Sequence, residues 1–248
     1  FFELPLLTAE GQATGRSKWV IQGGDGSYHL GDFDGQKFTN YAPKKQQTLH
    51  SVGYAYQRFN QTADGRIIAM GWIRRHTNWE DMPFSQMMSL PLELTLRETP
   101  DGPRVFANPV KELASLSRET FQKANFIVSP EAPFVLPGKS QLFDIEVIFK
   151  PTPGTPFAIE LGKDRIVWAD GKLNNNQSLP ASPEGLVTLR LVVDRPLIEI
   201  FGNDGAVYRA VRRSDQGNDV AVSLTGAAEI LSCSLRQISG SIINPFKL

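Results

Sequence analysis

In the stretch LFDIEVIFK, residues 142–150, Phe143, Ile145, Val147 and Phe149 alternate with Asp144, Glu146, Ile148 and Lys150. A period of two residues puts the first set on one face of an extended strand and the second set on the other. Segments of the same kind recur along the chain, rich in Val, Ile, Phe and Tyr, and 21 glycines and 17 prolines punctuate them. That is the grammar of strands and turns, so the chain is expected to be all-β.

Six strands are expected in the first half: 18–22, 27–33, 54–60, 66–73, 92–98 and 104–110. Turns fall at GGDG (23–26), DGQ (34–36), DGR (64–66) and PDG (100–102). Strand, turn, strand at short intervals predicts antiparallel meanders of the propeller or sandwich type. Residues 110–125, VKELASLSRETFQKAN, form the best helical candidate, although Leu113, Leu116 and Phe121 fit a 3.6-residue period only loosely. A short helix and an extended connector are equally compatible with it, and the domain boundary is placed here. Eight further strands follow from 141 to 238, with GNDG (202–205) as a turn whose Asn, Asp and Gly tolerate positive φ. This spacing reads as a β-sandwich.

Composition narrows the function. Lys plus Arg equals Asp plus Glu at 26 each, so no global basic field recruits nucleic acid or anionic lipid. No apolar run approaches the roughly 18–20 residues of a membrane-spanning helix. The single cysteine, Cys233, excludes an internal disulfide and reads as a buried strand residue.

The histidines, His29, His50 and His76, lack metal-ligand spacing, and GDFDG at 31–35 lacks the further oxygen ligands of a calcium loop, so neither metal nor cofactor is expected. GGDGSYHLG leads into a strand rather than a helix, which suits a hairpin better than a phosphate cradle. No G-x-S-x-G elbow is present. A carboxylate pair for glycoside chemistry is conceivable among Glu80, Asp81 and Glu93, each equally readable as a surface charge. Trp72, between an apolar strand and a charged loop, and Tyr54 and Tyr56, on alternating faces of YAYQRF, are aromatic rings of the kind that stack on sugars and equally of the kind that fill cores.

Four stretches carry a more specific signal: KWVIQGGDGSYHLGDFDGQKFT (18–39), YAYQRFN with ADGRIIAMGWIR, PFSQMMSLPLELTLRETPDGPRVFANPVKEL (83–113) and LVVDRPLIEIFGNDG (191–205). Together they resemble glycoside hydrolase family 32, the invertases, inulinases and levanases, and most of all its bacterial levanase- and inulinase-like members. The resemblance implies a five-bladed β-propeller followed by a β-sandwich. It also implies retaining cleavage of β-fructosyl bonds in fructan or sucrose, by an aspartate nucleophile and a glutamate acid/base, with a third carboxylate in an Arg-Asp-Pro motif. The chain opens FFELP, which matches the tail of the family's Glu-Cys-Pro motif. The acid/base would therefore fall about four residues ahead of Phe1, and Glu3 is not its counterpart. No N-D-P, R-D-P or E-C-P occurs in the 248 residues.

The resemblance thus implies about the last two propeller blades (residues 1–108), a connector (109–119) and the sandwich (120–248), with no catalytic residue and no activity as a fructosidase on its own. Trp72 matches the family's Gly-Trp segment beside the sugar pocket. Tyr54 and Gln57 match the strand before it, and Asp25 falls in a loop that approaches substrate. Secretion or a periplasmic location follows from family habit alone, and self-association is expected through exposed propeller edges. The alternative function is a carbohydrate-binding or structural sandwich module without catalysis.

Overall fold

The structure, a computed structural model, describes residues 1–40, 46–49, 53–59, 61–74, 85–214 and 218–239. The described residues fall into two units, the first formed from Phe1–Val110 and Asp204–Val211, the second from Lys111–Asn203 and from Arg212 onward. Among them no helix is long and apolar enough to cross a membrane.

The first unit contains β1 (Phe2–Leu7), β2 (Ala13–Gln22), β3 (Ser27–Phe33), β4 (Phe38–Asn40), β5 (Gln46–Gln47), β6 (Gly53–Arg58), β7 (Ile67–Ile73), β8 (Met87–Met88), β9 (Leu92–Arg97) and β10 (Arg104–Pro109). Two antiparallel meanders make up its sheet, β1-β2-β3-β4 and β6-β7-β9-β10. A short parallel contact joins them, Leu6 opposite Leu96 and Leu7 opposite Arg97. Alternation decides what is buried: Phe2, Leu4 and Leu6 of β1 point into the core while Phe1, Glu3 and Pro5 face out. On the outward face Phe1 stacks on Trp19 at 4.6 Å and meets Phe33 edge-on at 5.0 Å. Glu3 accepts a hydrogen bond from Ser17 on the neighbouring strand, an ordinary surface contact.

Inside this unit Tyr28, 3% exposed, accepts a hydrogen bond from the Val105 backbone N–H at 3.0 Å and lies 3.4 Å from the Thr48 hydroxyl. Burial pushes its phenol above the ordinary tyrosine pKa, against the lowering effect of Thr48, Val105 and Arg104. The segment 204–211 is tied in by backbone N–H bonds from Ala107 to Gly205 O at 2.9 Å and from Tyr208 to Thr48 O at 3.0 Å.

Lys111–Leu116 is a single 3-10 helix, and Ser117–Val128 is β11. Of the two states left open for 110–125, the first turns are helical and the rest is extended. From Ser117 the chain pairs with a partner strand, and tertiary pairing overrides a weak helical period. The remaining strands are β12 (Phe134–Val135), β13 (Leu142–Pro151), β14 (Phe157–Leu161), β15 (Asp164–Ala169), β16 (Lys172–Leu173), β17 (Gln177–Ser178), β18 (Val187–Asp194), β19 (Leu197–Gly202), β20 (Val207–Arg212, almost wholly within the first unit), β21 (Val222–Gly226) and β22 (Ala228–Ile238).

In the second unit one sheet runs β11-β22-β13-β18-β19 and another β12-β21-β14-β15-β16-β17. Their apolar faces supply the core: Phe143, Ile145, Val147 and Phe149 are at most 2% exposed, and Phe149 meets Phe157 at 4.2 Å and Trp168 at 6.0 Å. On the other face of β13 the buried Asp144 carboxylate accepts two bonds of 2.8 Å from Arg190 and a third of 3.3 Å from Arg236. Cys233 is buried in β22, and desolvation pushes its thiol pKa up to about 12, so the residue is unreactive at neutral pH.

Candidate functional site

The chemistry-bearing candidates of the first unit converge on one end of the β6-β7 hairpin. Its register explains how. Tyr54 lies opposite Trp72, but Gln57, three residues on, lies opposite Met70, only two residues back. The extra residue is a β-bulge, and Ala55 within it takes a left-handed φ of 51°. The bulge lets Tyr54 and Gln57 face solvent while Tyr56 between them turns inward, 6% exposed against 42% for Tyr54. The two tyrosines do lie on opposite faces, but a regular strand would put residues two apart on the same face, and it is the bulge, which the sequence pattern did not reveal, that separates them.

The inward Tyr56 ring fills the space a side chain at residue 71 would need. A Cβ at Gly71 would stand 2.3 Å from Tyr56 Cε1, so this position in GWI excludes even alanine without movement of the ring. Gly71 is further fixed by Ser89, whose hydroxyl accepts its N–H at 2.9 Å and whose own N–H donates to its carbonyl at 2.8 Å. These bonds set β8 alongside β7, with Met88 opposite Trp72 and Met87 opposite Ile73.

The result is a row across three strands, Tyr54, Trp72 and Met88, each directly opposite the next. Cβ atoms at such positions are about 4.5–5.5 Å apart. All three side chains are exposed, Trp72 by 39% and Met88 by 51%. The Trp72 indole N–H donates to Gln86 Oε1 at 2.7 Å, and the Arg74 guanidinium lies 4.3 Å from the centre of the Tyr54 ring.

Asp25 enters from the β2-β3 turn. The Tyr56 N–H donates to Gly24 O at 3.4 Å, and a methyl at Gly24 would lie 3.7 Å from Tyr54 Cζ, so the turn abuts the bulge. The Asp25 carboxylate accepts the Ser27 N–H at 3.1 Å and the Ser27 hydroxyl, an Asx turn that closes the hairpin. GGDG is thus a hairpin turn, with Gly23 N–H donating to Ser27 O at 2.7 Å.

The structure brings Tyr54, Trp72 and the Asp25 turn together. Gln57 shares their face but is displaced by one strand repeat, about 7 Å, opposite Met70. Of the acids considered for glycoside chemistry, Glu93 forms an ion pair with Arg66 at 3.2 Å, and Arg66 also binds Asp64 at 2.5 Å. Glu80, Asp81, His50 and His76 lie outside the described residues. In GDFDG, Asp32 binds Lys18 at 2.8 Å, and Asp34 accepts the N–H groups of Gln36 and Lys37. No grouping of three or more potential metal ligands occurs among the described residues. Sequence reasoning missed Gln86 and Met88. The strand carrying Met88 has only two residues, too short for any periodicity to announce it.

The second unit offers a different feature, a groove of about 380 Å³ whose lining includes Phe121, Lys139, Phe143, Leu235 and Gln237. Its lining combines apolar side chains with the Lys139 ammonium and the Gln237 amide.

No family model matches the chain. It is similar to a levanase of Bacillus subtilis (strain 168), 30% identical over 253 residues that cover 82% of this chain and 36% of the relative. It is also similar to a levanase of Bacillus sp. (strain L7), 28% identical, covering 83% of this chain and 27% of the relative. The chain therefore spans about a third of the length of these relatives. Among solved structures, an exo-inulinase from Aspergillus awamori superposes with a TM-score of 0.78 at 18% identity, covering 97% of this chain and 56% of that one. A fructofuranosidase from Schwanniomyces occidentalis gives 0.75 at 19% identity, covering 96% and 59%. The fold is shared with both.

Proposed function

We propose that this chain, which is related to the C-terminal portion of glycoside hydrolase family 32, is the part of a β-fructosidase that presents an aromatic wall to a fructan or sucrose-type substrate. The observation that carries the reading is the exposed row Tyr54–Trp72–Met88, with the Asp25 turn against it. Aromatic faces stack on the C–H face of a sugar ring, and one or two convergent polar groups then fix its orientation. Trp72 forms the platform, Tyr54 flanks it, and Gln57 and Asp25 supply polar contacts further out. The levanase relatives, and the fructofuranosidase whose structure was solved with fructosylnystose, support a β-fructosyl ligand.

In this reading the two meanders are the last two blades of a five-bladed propeller, residues 1–108, joined through 109–119 to a sandwich. Residues 1–248 are catalytically incomplete. Retaining glycoside hydrolysis needs two carboxyl groups about 5–5.5 Å apart, one to attack and one to protonate the leaving oxygen. The motifs that supply them in the family are absent from this sequence. The exposed aromatic side chains of Phe1, Tyr54, Phe59 and Trp72 favour self-association of the isolated chain.

Incubation of the purified chain with levan tests the catalytic half of the proposal: no fructose is released, and release above the solvent rate contradicts it. A second reading, a binding module in the second unit, is favoured by the Phe121–Gln237 groove. Oligosaccharide binding abolished by Phe121→Ala but not by Trp72→Ala would establish that reading over the first.

A further inference from the structure

We infer that Gln86 is a positioning residue for sugar binding, acting through Trp72. The inference rests on the reading of the Tyr54–Trp72–Met88 row as a substrate wall. A tryptophan left 39% exposed on a sheet face has rotamer freedom, and ordering it on binding costs part of the affinity. Trp72 stands opposite Tyr54 on one side and Met88 on the other. The directional contact is the 2.7 Å hydrogen bond from the indole N–H to Gln86 Oε1. The indole is a donor only, so an acceptor at this one point fixes the plane of the ring.

Gln86 is itself held. It is half-buried and directly precedes β8, where Met87 and Met88 pair with Ile73 and Trp72. One residue further on, the buried Ser89 locks the strand through its two bonds to Gly71. Gly71 in turn is held by the Tyr56 ring that occupies its Cβ position. Tyr56 packs on Gly71, Gly71 bonds to Ser89, and the backbone of β8 links Ser89 to Gln86, whose side chain accepts the Trp72 N–H. The product is a platform oriented before the sugar arrives.

The test compares wild type with Gln86→Leu, Gln86→Glu and Trp72→Ala in the full chain. Two readouts are taken: the Trp72 indole ¹H–¹⁵N resonance, assigned by its loss in Trp72→Ala, and the affinity for a levan-derived oligosaccharide followed by NMR titration. Leucine removes the acceptor at similar volume. It is expected to shift the indole proton upfield and to weaken binding about 3–10-fold, the affinity ratio equivalent to one hydrogen bond's net contribution, in a chain that is still folded at the temperature of the titration. Glutamate keeps an acceptor, so it is expected to hold the indole shift downfield and affinity within about twofold of wild type. Wild-type affinity in Gln86→Leu, with binding lost in Trp72→Ala, would overturn the role of Gln86 and leave the sugar wall standing. Equal affinity of wild type and Trp72→Ala, or no binding by wild type, would overturn the wall and the inference with it. An indole resonance unmoved by leucine would overturn the contact itself.

Discussion

The two units solve the same problem with different completeness. The second closes two sheets over Phe143, Phe149, Phe157 and Trp168, and its exposed large apolar side chains, Ile127 and Val135, lie on β11 and β12, each hydrogen-bonded to a single neighbouring strand. The first buries one face of each meander and leaves the other bearing Phe1, Ile21, Tyr54, Phe59, Trp72 and Met88. Scattered apolar residues on a surface are normal, but aligned aromatic rows are not. The difference teaches that aromatic side chains pack the core of both units, Phe2, Tyr28 and Tyr56 in the first, while the first also leaves Tyr54 and Trp72 side by side on its surface.

That contrast can be broken most forcefully in the sandwich. Phe149→Ala removes a ring at the centre of the core and is expected to cost about 3–5 kcal/mol in urea unfolding, with hydrogen exchange accelerated through β13 and β14. In the first unit Tyr28→Phe strips the acceptor from the buried Val105 N–H and is expected to cost about 1–3 kcal/mol. The same tyrosine gives a pH signature. Its folded phenol keeps its proton above about pH 10, where the unfolded chain releases its own, so stability is full below that pH and falls as pH rises past it. Tyr28→Phe should flatten this alkaline limb in equilibrium unfolding followed across pH 8–11.

Ala55→Gly relieves a left-handed residue in the bulge and is expected to stabilise the first unit by about 1 kcal/mol, read as a raised urea midpoint. The smallest effect on stability is expected at Trp72→Ala, within about 0.5 kcal/mol of wild type, since the ring is exposed. A much larger loss there would mean that Trp72 is core and would dissolve the contrast between the units.

How far these features could be read from the sequence follows from how each is encoded. Strand β13 announces itself because its alternating residues are buried on one side, and the hairpin turns announce themselves through Gly, Asn and Asp. Strand β1 did not, because Pro5 interrupts its alternation of Phe2, Leu4 and Leu6 and argues against a strand; its strand state is set by pairing to β2. For 110–125 the loose period left a short helix and an extended connector open, and the segment uses both: a 3-10 helix to Leu116, then a strand fixed by pairing with β22. Within the site, Tyr54 and Trp72 were legible as aromatic residues at strand ends. That they face each other depends on the bulge at Ala55, and that Gln86 meets Trp72 depends on the register of a two-residue strand. Both are long-range facts that local pattern does not contain.

The most direct measurement uses the four methionines, at positions 70, 82, 87 and 88, none of which lies in the second unit. With methyl-labelled methionine and ¹⁵N-labelled indoles, a levan-derived oligosaccharide is titrated into the full chain. A sugar wall in the first unit predicts saturable shifts of the Met88 methyl and the Trp72 indole, while the buried Trp168 indole of the sandwich stays put. Unmoved Met88 and Trp72 signals during binding detected by calorimetry, or no binding at all, would contradict it.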